Sequence, residues 1–176
     1  MNTLYIERST AGGRNGNWID ELRLVPPPDR IVVGMGPGSF AGIRAALAFA
    51  QGYQLGRPCE VLGLPSPCAL AGEGRLAVVG DARRGMAWVA LFSGFSVERE
   101  IFQVRQDELE GAVPKGCNVV TPDAARIDAI LGETFGARYL GGRTPTAEGL
   151  KAFAEANPSI LRPEPLPIYL NPAVRD

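Results

Sequence analysis

The sequence contains no histidine among its 176 residues, and this absence excludes several catalytic classes. A Ser-His or Cys-His pair cannot form, and neither can a histidine-ligated zinc protease site. The only lysines are Lys115 and Lys151, and neither lies in a Walker-type glycine loop. Any acid–base chemistry would therefore fall to carboxylate, lysine, tyrosine or thiol groups. The expected catalytic residues, metal and other cofactors are none.

Cysteine is also scarce. Cys59, Cys68 and Cys117 fit no CxxC or zinc-ligand spacing. Scattered thiols without a leader segment indicate reduced, buried cysteines in the cytoplasm. Residues 1–10 lack the apolar core of a signal peptide, and the longest weakly polar run, residues 45–50, is far too short to span a membrane. The expected location is the cytoplasm, with no membrane contact.

Charge of one sign is not in excess, because 18 basic and 19 acidic residues leave a net charge of −1. A protein that binds nucleic acid by itself usually has a clear basic excess, since it displaces counterions from phosphates. That class is disfavoured for the chain as a whole, although a local basic patch remains open. With 45% hydrophobic residues, the chain has enough apolar side chains for an ordinary globular core.

Apolar runs and periodicity predict an α/β chain with a mixed sheet and favour a division into two lobes. Residues 31–35 and 59–64 flank the strongest helix, 39–55, as a βαβ unit with parallel strands. Three successive strands, at residues 76–79, 86–92 and 97–104, predict an antiparallel meander. Further strands are expected at 4–6, 118–120 and 138–140, and further helices at 18–25, 121–131 and 144–156, the last two opened by Thr121-Pro122 and Thr144-Pro145.

A glycine loop follows the second predicted strand, with Gly36, Gly38 and Ser39 at the start of the long helix and Arg44 one turn later. Free N–H groups at a helix N-terminus suit a phosphate or carboxylate. The dinucleotide, Walker and nucleophile-elbow patterns do not fit these residues. The favoured interpretation is structural: the glycines allow a tight turn and close packing, and Ser39 caps the helix. An anion or nucleotide site is the weaker alternative.

Three other features are weighed against plainer interpretations. The turn at Asp81, Arg83 and Arg84 is either an anion or partner site or a solvated hairpin tip. Glu7, at the end of the first strand, is a candidate metal or base carboxylate, although a lone acid is usually neither. An apolar stripe on residues 18–25 either faces a partner or packs on its own sheet; its members are Trp18, Ile19 and Leu22.

The motif GPGSFAGIR at residues 36–44, followed by DARRGMAW at 81–88, resembles the bacterial TsaB (YeaZ) family. Ala41 replaces the threonine that is usual in the family. The opening TLYIERST and the tail PEPLPIYLNPAV also resemble the family, with Glu7 and Arg8 altering its first motif and Asn171 standing where arginine is common. The resemblance is dense over residues 31–95 and thin elsewhere.

The resemblance implies an actin-like ATPase (ASKHA) fold of two lobes, which we place at residues 1–80 and 81–176. It implies a non-catalytic subunit that helps to form N6-threonylcarbamoyladenosine at position 37 of tRNA by stabilising the catalytic subunit TsaD. The ATPase TsaE joins that complex, and tRNA is reached only through it. When alone, the chain is expected to form a homodimer.

Only about 20 residues separate the first strand from the glycine motif, so the N-terminal lobe is expected to be trimmed. The partner interface would then fall to Trp18, Ile19 and Leu22, and to Phe40, Ile43 and Leu47 of the long helix. Two alternatives remain for function: a degenerate paralogue that only self-associates, and a protein that binds small anions or nucleotides.

Overall fold

The structure is a computed structural model that describes residues 1–10 and 26–170. The predicted helix at 18–25, with Trp18, Ile19 and Leu22, lies outside the described residues, as does Asn171. In chain order the described strands and α-helices are β1 (Thr3–Ile6), β2 (Arg30–Gly34), α1 (Phe40–Gly56), β3 (Glu60–Leu64), β4 (Arg75–Arg83), β5 (Met86–Ser93), β6 (Ser96–Arg105), α2 (Leu109–Ala112), β7 (Asn118–Thr121), α3 (Ala124–Phe135), β8 (Tyr139–Gly142), α4 (Ala147–Ala156) and β9 (Arg162–Pro163).

The chain forms two compact units. The first contains residues 1–69 and 145–168, and the second contains 70–144 and 169–176. These bounds differ from the division at residue 80 expected from the sequence. The difference arises because α4 and β9, which come late in the chain, fold with the first unit.

The sheet of the first unit has the order β1-β2-β3-β9. The first three strands are parallel, so the βαβ unit around α1 is confirmed, and β9 adds two antiparallel residues. Helix α1 buries Ile43, Ala46, Leu47 and Ala50 against β2 and β3. Their spacing places them on one face of the helix, which is why this segment covers a sheet of fully buried strands.

The sheet of the second unit has the order β6-β5-β4-β7-β8. The strands β4, β5 and β6 form the predicted antiparallel meander, while β4, β7 and β8 run parallel to one another. Helix α3 covers this sheet with Ile127, Leu131 and Phe135. Trp88 on β5 is 1% exposed.

The starts of two helices correct the sequence prediction. Helix α3 begins after Asp123, not after Thr121, and α4 begins after Thr146, not after Thr144. In α4 the Thr146 hydroxyl accepts a hydrogen bond from the Gly149 N–H at 3.1 Å. The N-cap of α4 is therefore Thr146, whose hydroxyl has the geometry to accept a helix N–H, and not Thr144 of the Thr-Pro pair.

Candidate functional site

The glycine loop connects β2 to α1, and the structure shows what its glycines do. A side chain on Gly38 would collide with the carbonyl oxygen of Ser9, and one on Gly42 would collide with that of Arg8. The segment that follows β1 therefore lies directly against the loop and the first turn of α1. Only residues without a Cβ allow two backbones to approach so closely.

Three N–H groups of the loop and the first turn of α1 have acceptors within the chain. The Ser39 N–H donates to the Ser9 carbonyl oxygen at 2.5 Å. The Gly36 N–H donates to the Ser66 hydroxyl at 2.9 Å, and the Gly42 N–H to the Ser39 hydroxyl at 3.4 Å. Ser39 is thus the N-cap that the sequence predicted. An external anion would have to do without these three donors, so the geometry favours the structural interpretation of the motif.

Arg44 does not reach into the loop. Its guanidinium carbon lies 4.9 Å from the centre of the Phe40 ring, in a cation–π arrangement. Phe40 itself is 56% exposed. The two side chains therefore form one exposed patch at the start of α1.

Glu7 is the least expected member of the site. One carboxylate oxygen, Oε1, accepts the Ser9 N–H at 2.6 Å. The other, Oε2, is buried and has no hydrogen-bond partner of good geometry among the described residues. It lies where a side chain on Gly34 would be, beside the Ser66 hydroxyl. Burial raises the pKa of Glu7, while its contacts with Ser9 and Ser66 oppose that shift.

As a lone acid, Glu7 is a weak candidate in the sequence, and no sequence pattern singles out Ser9, Ser66 or Gly42. Gly42 was visible as the last glycine of GPGSFAG. Ser66 carried no signal, because its role depends on the end of β3 lying beside the loop, where its N–H also donates to the Gly36 carbonyl oxygen at 2.9 Å.

Helix α1 has a second face that is exposed within the described residues. It consists of small residues at helical spacing, with a large apolar residue at each end: Ala41, Ala45, Ala48 and Gly52, with Phe40 and Leu55. Leu55 is 91% exposed. We call this surface the α1 face. Ile43 and Leu47, which the sequence also assigned to an interface, are instead buried in the core of the first unit and are unavailable to a partner.

The turn between β4 and β5 is a hairpin tip. The Asp81 carboxylate accepts the Arg83 N–H at 2.9 Å, as the solvated-tip interpretation expected. Arg83, Arg84 and Gly85 have φ angles of 69°, 53° and 74°. Among the described residues no group of three or more Cys, Asp or Glu side chains is placed to hold a metal ion. No described helix is long and apolar enough to cross a membrane.

Taken together, the two sheets and the glycine loop define a mixed α/β fold of the YeaZ type. A solved structure of YeaZ from Pseudomonas aeruginosa matches with a TM-score of 0.71 at 20% identity, covering 97% of this chain and 100% of that one. An uncharacterised protein with similarity to the peptidase YeaZ from Pseudomonas aeruginosa matches with a TM-score of 0.69 at 20% identity and the same coverage. The resemblance predicted from residues 31–95 is thus confirmed at the level of the fold.

The sequence matches are shorter. Uncharacterised proteins of Mycobacterium tuberculosis and Mycobacterium bovis are 45% identical to the chain over 58 residues. The aligned segment is 32% of this chain and spans only 28% of the length of each curated relative. No family model matches the chain.

Proposed function

We propose that this chain is a TsaB-type accessory subunit, which stabilises a TsaD-like catalytic subunit in the formation of N6-threonylcarbamoyladenosine at position 37 of tRNA. The observation that carries the proposal is the YeaZ-like fold over 97% of the chain, together with the GPGSFAGIR motif, which connects β2 to α1. The proposal includes an actin-like arrangement of two lobes with a trimmed first lobe, and a location in the cytoplasm.

The proposed role is non-catalytic. The chain has no histidine for a metal site or a general base, and the N–H groups of Gly36, Ser39 and Gly42 bond to the chain itself. The glycine loop therefore works as a packing device in this proposal, and the chemistry belongs to the partner. One of the similar structures is of a protein with similarity to the peptidase YeaZ, and the proposal does not extend that activity to this chain.

The α1 face is the proposed contact surface for the partner. Arg44 is the only charged residue among the 17 of α1, whereas the 10 residues of α4 include Glu148, Lys151 and Glu155. A solvent-facing helix surface normally carries several charges, so an exposed one with Arg44 as its single charge indicates a protein contact. Small side chains also let a second helix approach closely. An ordinary stable interface would bury about 800 Å² on each partner.

Co-expression with the TsaD-like protein of the same organism tests the proposal. We expect the wild-type chain to co-purify with that protein and Ala48→Arg to lose it, because the new charge lies in the middle of the α1 face. Ala152→Arg is the matched control, since Ala152 is an exposed alanine of α4 in the same unit. A wild-type chain that does not co-elute, with normal tRNA modification in a deletion strain, would contradict the proposal.

Light scattering measures the oligomeric state of the isolated wild-type chain and of the same variants. We expect a homodimer at micromolar concentration that Ala48→Arg converts to a monomer. A chain that forms the homodimer but never captures the TsaD-like protein would favour a paralogue that only self-associates.

A further inference from the structure

Four arginines gather at one edge of the sheet in the second unit. Strands β4, β7 and β8 are parallel, so their carboxyl ends meet at the same edge. Arg83 and Arg84 lie at the end of β4, Arg126 in the first turn of α3 and Arg143 directly after β8. We call these four residues the arginine edge.

Two carboxylates, those of Asp81 and Asp123, lie next to the arginine edge. The Asp81 side chain is 12% exposed and lies 3.7 Å from the Arg83 guanidinium and 3.8 Å from that of Arg126, which are 58% and 48% exposed. At these separations neither guanidinium group makes a short hydrogen bond to the Asp81 carboxylate. The partly buried Asp81 therefore lies beside two exposed cations.

Asp123 is turned inward in the same way. Its carboxylate accepts the Asp81 N–H at 3.0 Å. Burial raises the pKa of Asp123, and the adjacent positive charges of Arg126 and Arg83 oppose this shift. The outer surface of this edge is therefore positive, with both acids in the layer below.

Arg84 and Arg143 are exposed and form no ion pair within the described part of the chain. Arg84 occupies the left-handed region, where the hairpin turn favours Asn, Asp or Gly. Arg83 beside it is also left-handed. Backbone conformations of this kind occur preferentially at functional sites. Here they place two consecutive guanidinium groups at the tip of the hairpin.

We infer that the arginine edge binds the phosphate backbone of a nucleic acid. The guanidinium fork matches phosphate oxygens in a bidentate way. Arg83 and Arg84 lie at the end of β4 and Arg143 at the end of β8, two strand spacings or about 10 Å away across the sheet, and this separation suits successive phosphates better than one small anion. The net charge of −1 conceals this patch, because the rest of the chain carries the compensating acids. The inference goes beyond the proposed function and needs no partner subunit.

Fluorescence anisotropy of a labelled tRNA transcript with the full chain tests the inference. The informative variant is Arg84→Gln/Arg143→Gln, because neither side chain supports the fold through an ion pair. We expect at least tenfold weaker binding at 50 mM salt, with the slope of log affinity against log salt reduced by about 2. Lys115→Gln is the matched control: an exposed cation of the same unit, just before β7 at the opposite edge, which should change affinity less than twofold.

Three results would overturn the inference: no binding of tRNA at 50 mM salt, equal binding by the double variant and the wild type, or displacement of tRNA by millimolar inorganic phosphate beyond the effect of chloride at equal ionic strength. The last result would mean a site for one small anion. A chain that co-purifies with its TsaD-like partner but does not bind tRNA in this assay would contradict the inference and leave the proposed function intact. A chain that binds tRNA but does not capture the partner would support the inference and contradict the proposed function.

Discussion

The two units differ in what lies closest to some of their glycines. In the first, glycines bring backbone against backbone: Gly38 and Gly42 contact the carbonyl oxygens of Ser9 and Arg8, and Gly149 contacts that of Ala69. In the second, Gly80 makes room for a side chain, the indole of Trp88. A side chain is able to move or be replaced, whereas a backbone carbonyl is fixed by its neighbours. The comparison teaches that Gly38, Gly42 and Gly149, whose close neighbours are backbone atoms, should tolerate substitution less well than Gly80.

The largest expected effect concerns the second unit. Trp88→Ala removes a side chain that is 1% exposed, and the cavity should lower the free energy of unfolding by about 3–5 kcal/mol. Chemical denaturation measures it. Gly80→Ala should be destabilising in the wild type and nearly neutral in the Trp88→Ala background, since the added methyl group then occupies empty space. Equal costs in both backgrounds would break the comparison.

The first unit should offer no such rescue. Gly42→Ala places a methyl group against the Arg8 carbonyl oxygen and should cost about 1–3 kcal/mol, as overpacking does. Gly52→Ala in the same helix meets nothing within 4 Å and should instead stabilise the chain by about 0.5–1 kcal/mol, because alanine is the better helix former. Thermal and urea unfolding of the pair test this. If both variants shift stability in the same direction, close packing does not explain the motif.

Glu7 adds a pH dependence that belongs to the first unit. Because its pKa is raised in the folded chain, the unfolded chain loses this proton first as pH rises, and the Glu7 contribution to stability falls from acid toward neutral pH. Glu7→Gln keeps the Ser9 contact and removes the charge. It should raise stability at pH 7 by about 1 kcal/mol and flatten that fall. Unfolding midpoints of the wild type and of Glu7→Gln, measured from pH 4 to 8, test this prediction. If Glu7→Gln is less stable than the wild type at pH 7, burial does not destabilise the charged Glu7 carboxylate.

The smallest effect separates the two candidate caps of α4. Thr146→Ala should cost about 0.5–1 kcal/mol, because the Gly149 N–H loses its acceptor. Thr144→Ala should change stability within experimental error, since Thr144 is exposed and outside the helix. Thermal unfolding of both variants is sufficient. The reverse order would restore the cap predicted from the Thr-Pro pair.

Much of the fold could be predicted because its signals are local. The βαβ unit around α1 and the meander of β4, β5 and β6 follow from apolar runs and their turns, and the structure confirms both. The assignment of 145–168 to the first unit could not be predicted, since it depends on contacts between distant segments. The site was predicted in part: Ser39 is the N-cap, but the loop's other hydrogen-bond partners come from Ser9 and Ser66.

By itself, the sequence determined which segments are strands and helices, and that no histidine chemistry is available. Only the tertiary structure decided what each polar group faces. It placed the Glu7 carboxylate beside Gly34, turned Ile43 and Leu47 into the core, and brought Arg126 to the Asp81 carboxylate that also pairs with Arg83. The physical reason is the distance along the chain over which each property is determined. Periodicity is read within one segment, whereas burial, pKa and local electric field depend on atoms that are far apart along the chain.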